Sequence, residues 1–338
     1  MSNSLILAFE SSCDDTSVAI IDTDYKVLVN LISSQPQHLE FGGVLPELAS
    51  RLHMKNIAYL TDAAIREAKL DISDISAIAV SINPGLIGSL IVGLSFAKGL
   101  AWSRNIPLIT VNHMLAHIFA NFIDHPQIKP PFLALVVSGG HTEMVHFKTM
   151  TEFELVGKTL DDAAGETFDK CAKLLGLGFP GGPLIDRLAK TGDPGYVDFP
   201  RGLKQKTNFN FSYSGLKTSV LTHLSQMDEA DIEQHKPDLA ASIQAAIVDP
   251  LISKSTRYAR TNGINTIVIA GGVAANSELR ARLAATAAPY GIDTYYPSLK
   301  LCMDNAAMVG AAAIPKLNNQ SYAELNVNAF SLKGTKTI

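Results

Sequence analysis

His113 and His117 lie four residues apart in the run Asn112-His-Met-Leu-Ala-His117, and the apolar Phe119, Phe122 and Ile123 that follow keep helical spacing. Positions i and i+4 share one helix face, so both imidazoles come within reach of a single metal ion. A pair of core or surface histidines fits the same spacing equally well. Asp304, at the predicted start of the last helix, offers a carboxylate that serves either as a third ligand or as a simple helix cap. Two imidazoles and one carboxylate with open positions suit Fe(II) or Zn(II), and residue types do not choose between them. A zincin-type protease needs Glu directly after the first His of its motif; Met114 stands there. The three cysteines, Cys13, Cys171 and Cys302, form no CxxC pair, which argues against a sulfur-rich zinc site.

A second group of residues sits in turns. Glu10-Ser-Ser-Cys-Asp-Asp-Thr16, Asn83-Pro-Gly85, Val137-Ser-Gly-Gly-His-Thr142 and Ala270-Gly-Gly-Val-Ala-Ala-Asn276 each follow an apolar strand. Glycine there lets backbone N–H groups approach an anion closely, and the turn before Asn276 adds the positive end of a helix. One such turn alone is an ordinary tight turn. Two acid- or glycine-bearing hairpins followed by a late strand, Gly-Gly and helix resemble the nucleotide site of the actin, Hsp70 and sugar-kinase superfold. That likeness implies phosphate-holding hairpins and an adenosine-holding late turn.

The formal net charge is −4, so no global field draws this chain onto nucleic acid, and an RNA partner must be held by local basic patches or by other subunits. Arg201, Lys204, Lys206 and Lys217, with Phe209, Phe211 and Tyr213 between them, form one such stretch. The aromatics also alternate as strand core positions do.

The elements that must position these residues follow from patterning. At 338 residues, two domains are expected. Strands are predicted at 5–11, 16–21 and 26–33, a helix over 46–68, a buried strand at 78–82, a helix over 86–103 and a short strand at 108–111. A similar order then restarts, with strands at 132–137, 143–147 and 154–158 and a helix over 162–175. After an irregular segment, 177–211, come three helices, a strand at 266–270, a helix from Asn276, a strand at 293–296 and a last helix from about Asp304. Two mixed α/β lobes with a ligand cleft between them are expected. The first ten residues have no basic region and too short an apolar run for a signal peptide or anchor, so a cytoplasmic, non-membrane protein is expected.

At residue level the likeness becomes closer. The runs Glu10-Ser-Ser-Cys-Asp-Asp-Thr, Gly42-Gly-Val-Leu-Pro-Glu-Leu-Ala-Ser-Arg51, Pro84-Gly-Leu-Ile-Gly88, Ser138-Gly-Gly-His-Thr142, Asp161-Asp-Ala-Ala-Gly-Glu-Thr-Phe-Asp-Lys170, Phe179-Pro-Gly-Gly-Pro183, Phe211-Ser-Tyr-Ser-Gly-Leu-Lys217 and Ala270-Gly-Gly-Val-Ala-Ala-Asn276 resemble, in order, the bacterial TsaD (Gcp, YgjD) family. The resemblance implies an actin-like (ASKHA) α/β fold, with a first lobe over 1–128 completed by 305–338 and a second over 129–304. It also implies transfer of a threonylcarbamoyl group from threonylcarbamoyl-AMP to adenosine N6 of tRNA, and one divalent metal ion, Fe(II) or Zn(II). By position the metal ligands are His113, His117 and Asp304, and the substrate residues are Val136, Val137, Ser138, Gly139, Gly140, Asp169, Gly182, Asp186 and Asn276. A TsaB-like paralogue and a TsaE-like ATPase are the implied partners. The family usually reads His-His-Met-Glu-Gly-His where this chain has Asn112-His-Met-Leu-Ala-His117, so Leu115 replaces a Glu that would stand beside the metal ligands.

Overall fold

The structure, a computed structural model, describes residues 4–41 and 43–331. Gly42 of the second quoted run, and residues 332–338 of the expected C-terminal completion, lie outside the described residues. The chain divides into two compact units, one of residues 1–128 and 297–338, the other of 129–296. The boundary thus falls after Tyr296 rather than at 304, and Asp304 belongs to the first unit.

The first unit is built on a five-stranded sheet in which β1 (Leu5–Glu10) is central. β2 (Thr16–Asp22) pairs antiparallel with β1, and β3 (Val27–Ser33) antiparallel with β2. On the other side of β1 come β4 (Ile75–Asn83) and β5 (Leu108–Asn112), both parallel. Successive side chains of a strand point to opposite faces, and Ile6 to Phe9 are all fully buried, so both faces of β1 are covered. Leu7 and Phe9 pack in one cluster with Ile57 and Leu60 of α1 (Pro46–Ala68) and Leu94 and Ala97 of α2 (Ile87–Arg104). α3 (His113–Asp124) follows β5 directly.

The second unit repeats this plan without repeating its residues. β6 (Phe132–Val137) is central, with β7 (Thr142–Phe147) and β8 (Phe153–Lys158) antiparallel on one side. Its helices α4 (Ala164–Leu174), α5 (Gly181–Ala189), α6 (Ser214–Leu224), α7 (Glu229–Gln234) and the long α8 (Lys236–Thr261) come next. β9 (Thr266–Ala270), α9 (Ser277–Ala287) and β10 (Asp293–Tyr295) close it, both strands parallel to β6. α5 falls inside the segment expected to be irregular. Its Gly181-Gly182-Pro183 start reads as a turn, and what makes it a helix is tertiary: the Asp169 carboxylate of α4 accepts from Gly181 N–H at 2.7 Å.

The chain then returns to the first unit as α10 (Leu299–Cys302) and α11 (Ala306–Asn318). α11 packs on β1 and β2 through its small residues: a Cβ on Gly310 would stand 2.4 Å from Ile21 Cγ2 and 3.3 Å from Ala8 Cβ. Since neither neighbour has a flexible end to move, Gly310→Val should lower stability by about 1–3 kcal/mol, the usual cost of overpacking a filled core. Urea unfolding of the variant checks this, and an unchanged midpoint would contradict the packing.

Candidate metal centre and substrate residues

Asn112 ends β5 and caps α3, its Oδ1 accepting from Met114 N–H at 2.8 Å and Leu115 N–H at 3.1 Å. That cap fixes the first helical turn, from which His113 and His117 project with ring centroids 4.7 Å apart and nearly perpendicular planes. Asp304 comes from the turn before α11. The expected cap role passes to Asn305, whose Oδ1 accepts from Met308 N–H at 3.1 Å, while Ser17 Oγ and Asn30 Oδ1 take Ala306 and Ala307 N–H. With the helix start satisfied by those groups, the Asp304 carboxylate is turned to the histidines. Its Oδ1 lies 3.1 Å from His117 Nε2 and 3.4 Å from His113 Nε2.

The three ligand atoms lie within 4.8 Å of one another. Both histidines are buried, and Asp304 keeps a quarter of its side chain exposed, 25%, so the group opens on its carboxylate side. Behind His113 stands a residue that the motif spacing did not assign to this centre. Glu10, fully buried at the end of β1, accepts from His113 Nδ1 at 2.9 Å and from Ser12 N–H at 2.6 Å. Ser12 Oγ lies 3.1 Å from the same ring nitrogen. A single acid closing the apolar run Leu5 to Phe9 was the available signal, because a buried carboxylate needs a partner.

Electrostatics follow this geometry. Burial works to push His113 down, but Glu10 and Asp304 outweigh it and hold the imidazole well above its ordinary range. Burial works to raise both carboxylates, and His113 overrides it, holding Glu10 low and Asp304 far below the usual carboxylate range. Two carboxylates thus flank the His113 ring, a field that favours positive charge between the histidines and Asp304. A divalent cation fits this donor set. Glu10 holds the Nδ1 proton of His113 and so leaves Nε2 as the ligand atom, the usual arrangement behind a metal-bound histidine. Burial, with Asp14 beside it, pushes the Cys13 thiol up, which makes it a poor nucleophile.

The residues expected to hold substrate all fall in the second unit. The side chains of Val136 and Val137 are buried in the sheet, so only their backbone can meet a ligand. Ser138 to Gly140 form the β6–β7 turn, closed by Ser138 N–H donating to His141 C=O at 2.8 Å, and Gly139 and Gly140 are exposed. Gly165 at the start of α4 donates to Ser138 C=O at 3.1 Å, and Gly271, at φ 85°, brings its backbone against Val137 C=O. Asp169 lies one turn further along α4 and holds the start of α5, next to Gly182.

Asp186 accepts from Ser277 N–H and, at 2.8 Å, from Ser277 Oγ. Asn276 is buried and committed on both sides: its Oδ1 caps α9 by accepting from Leu279 N–H at 2.8 Å, and its Nδ2 donates to Gln244 Oε1 at 2.7 Å. The basic and aromatic stretch is overturned as a base-stacking surface. Phe211 and Tyr213 are core residues, and Phe209 packs edge-on to Tyr258.

Comparison with known proteins adds to this. A family model described as "TsaD: tRNA N6-adenosine threonylcarbamoyltransferase" matches residues 26–311. A protein of Kosmotoga olearia named tRNA N6-adenosine threonylcarbamoyltransferase is 50% identical over 326 residues, covering 96% of this chain and 97% of that one. One of the same name from Clostridium beijerinckii is 48% identical over 330 residues, 97% of each chain. Among solved structures, full-length HypF in its phosphate- and nucleotide-bound form aligns at TM-score 0.64 and 14% identity, over 95% of this chain and 56% of that one. Component A of the Acidaminococcus fermentans (R)-2-hydroxyglutaryl-CoA dehydratase aligns at 0.55 and 14%, over 93% and 99%. These likenesses carry the fold, which is actin-like.

Two outcomes are expected here. Titrating Fe(II) or Zn(II) into the protein should show one site, lost in His117→Ala and weakened about 10- to 100-fold in Glu10→Gln, where a neutral amide replaces the carboxylate behind His113. Equal affinity in Glu10→Gln and wild type would separate Glu10 from the metal. Asn276→Ala should cost about 1 kcal/mol of stability in denaturant, with or without nucleotide, because it removes a helix cap and leaves Gln244 without its donor.

Proposed function

The chain belongs to the TsaD family of tRNA N6-adenosine threonylcarbamoyltransferases, and from that premise we propose how its residues serve the reaction. The donor is threonylcarbamoyl-AMP and the acceptor is N6 of the adenosine 3′ of the anticodon, in tRNAs that read codons beginning with A. The product is t6A. What carries the metal part of this reading is the convergence of His113, His117 and Asp304 on one point.

The donor is a mixed carbamic–phosphoric anhydride. N6 attacks its carbonyl carbon, the bond from that carbon to the phosphate oxygen breaks, AMP leaves, and the attacking nitrogen loses a proton. AMP departs readily, so no strong acid is required of the protein. The exocyclic amine is a poor nucleophile, and the demand falls on positioning and on stabilising charge that grows on the carbonyl oxygen. In the second unit, the exposed Gly139 and Gly140 leave backbone open to an anion, with the start of α4 beside them. Asp169 and Asp186 hold the α5 and α9 starts in place through hydrogen bonds, and Asn276 caps α9. These support the assignment of 136–140, Asp169, Gly182, Asp186 and Asn276 as the adenylate-binding set.

His113, His117 and Asp304 would hold one Fe(II) or Zn(II), which when bound supplies a positive charge for a carbonyl or carboxylate oxygen of the threonylcarbamoyl part. Glu10 fixes the tautomer and tilt of His113. Leu115 leaves no carboxylate at the position where the family has one, and the acid beside His113 is Glu10. Peptide hydrolysis is disfavoured: Met114 is buried beside His113, and Glu10 faces Nδ1, away from the Nε2 side that Asp304 shares. Work with a TsaB-like paralogue and a TsaE-like ATPase in the cytoplasm completes the reading. No described helix is long and apolar enough to cross a membrane.

The test is reconstitution with tRNA, Thr, bicarbonate, ATP, the adenylate-forming enzyme and both partners, read by nucleoside mass spectrometry. Wild type should form t6A. His113→Ala should lose metal and t6A together, with an unchanged circular dichroism spectrum. Full activity in metal-free His113→Ala would remove the metal from the reaction, and full turnover by this chain alone would remove the partner requirement.

A further inference from the structure

The strand-like stretch that fails as a base-stacking surface does something else. Phe211 and Phe209 turn into the second unit, and two cations of α8 rest on their rings: Lys254 Nζ 5.5 Å from the Phe211 centroid and Arg257 Cζ 5.1 Å from that of Phe209. Lys254 is only 3% exposed, and its Nζ donates to Asn210 C=O. Among the described residues neither cation has a carboxylate within ion-pair distance, and the buried Arg257 Nε has no hydrogen-bond partner. Beside them a cavity of about 130 Å³ is lined by Arg201, Lys204, Lys254 and Arg257, with Asp249 as its one acid. Asp249 is already shared between Arg201 and Arg282, at 2.9 and 2.6 Å, and Arg201 also meets Asp198. Among the described residues Lys204, Lys254 and Arg257 therefore have no carboxylate partner, and Arg257 has only a 3.5 Å bond from its guanidinium to Asn208 C=O beside its ring contact.

A buried, unpaired ammonium is costly, and a fold keeps one where a ligand supplies the missing charge. Burial and the neighbouring Arg257 push the Lys254 amine down to about 8, and an anion bound beside it would oppose both effects. Size narrows the ligand. Small-molecule pockets run to roughly 300–1,000 Å³, and this cavity, at about 130 Å³ and open to solvent, suits one tetrahedral anion better than a whole nucleoside. Lys204 lines the cavity and is exposed, so a chain carrying the anion can pass outside while one group enters.

We propose that this cavity takes one phosphate of the tRNA backbone, a positioning site in the second unit apart from the adenylate residues. The inference rests on the tRNA-modifying activity for the choice of RNA over a free anion. It also answers the charge problem of an acidic protein that acts on RNA: local cations, held on aromatic rings, do what the net charge does not.

The test uses the assembled complex and tRNA binding measured over a salt series. Arg257→Gln with Lys204→Gln should raise Kd several-fold and flatten the slope of log K against log salt by about 0.7 for each phosphate no longer neutralised. Lys254→Met separates binding from folding. If the amine serves a ligand, replacing it by an apolar isostere leaves thermal stability unchanged or higher while weakening tRNA binding; if it serves only Asn210, stability falls and binding does not change. Unchanged Kd and slope in both variants overturn the proposal. So does calorimetric binding of inorganic phosphate that the variants abolish while tRNA binding stays at wild-type strength, which would assign the cavity to a free anion. Failure of the transferase reading shows separately, as wild-type complex that forms no t6A.

Discussion

The Glu10 carboxylate ends the central strand of the first unit with no solvent to satisfy it, and its two protein partners decide what surrounds it. Ser12 N–H ties it to the turn after β1; His113 ties it to the first residue of α3. Because β1 is flanked by β4 and β4 by β5, the end of β1 and the start of α3 lie at one edge of the sheet, where this bond is short and shielded. An isolated charge there would be driven to neutralise, and breaking such a buried pair by removing one member typically costs about 3–5 kcal/mol. The orientation of His113, the direction of its Nε2, and so the position at which Asp304 is useful all depend on that contact.

The same logic governs Asp304 from the other side. A carboxylate before a helix is ordinarily consumed by the free N–H groups of the first turn. Here Ser17, Asn30 and Asn305 take those groups, and Asp304 is released to the histidines. Two residues of β2 and β3 therefore shape the candidate metal centre without being among its ligands. In the second unit, helix starts are likewise secured by side chains, α5 by Asp169 and α9 by Asn276, so that the glycine turns keep their close approaches: Gly165 to Ser138 and Gly271 to Val137.

Charge is distributed by the same economy of partners. Acids exceed basic residues over the chain, yet around Phe209 and Phe211 stand Lys254 and Arg257, which among the described residues have no carboxylate partner. The aromatic rings hold those cations in place of carboxylates, which would cancel them.

Much of this protein is legible in its sequence. Strands such as Phe132–Val137 and Thr266–Ala270, and the helix Pro46–Ala68, follow from local apolar period and turn chemistry, which is why their bounds agree with the pattern. The histidine pair is legible for the same reason, since i and i+4 on a helix is a local statement. α5 is not, because its start is completed by Asp169 from another helix. Nor is the role of Glu10, which needs a partner over a hundred positions away, or the release of Asp304, which needs Ser17 and Asn30. Phe211 and Lys217 read alike as surface recognition until packing buries the ring and leaves the lysine outside. The sequence alone determined the elements, their order and the residue types available for chemistry, because those depend on neighbours along the chain; which carboxylate faces which imidazole, and which cation is left unpaired, was decided only by tertiary structure, because burial and hydrogen-bond partners come from residues distant in sequence.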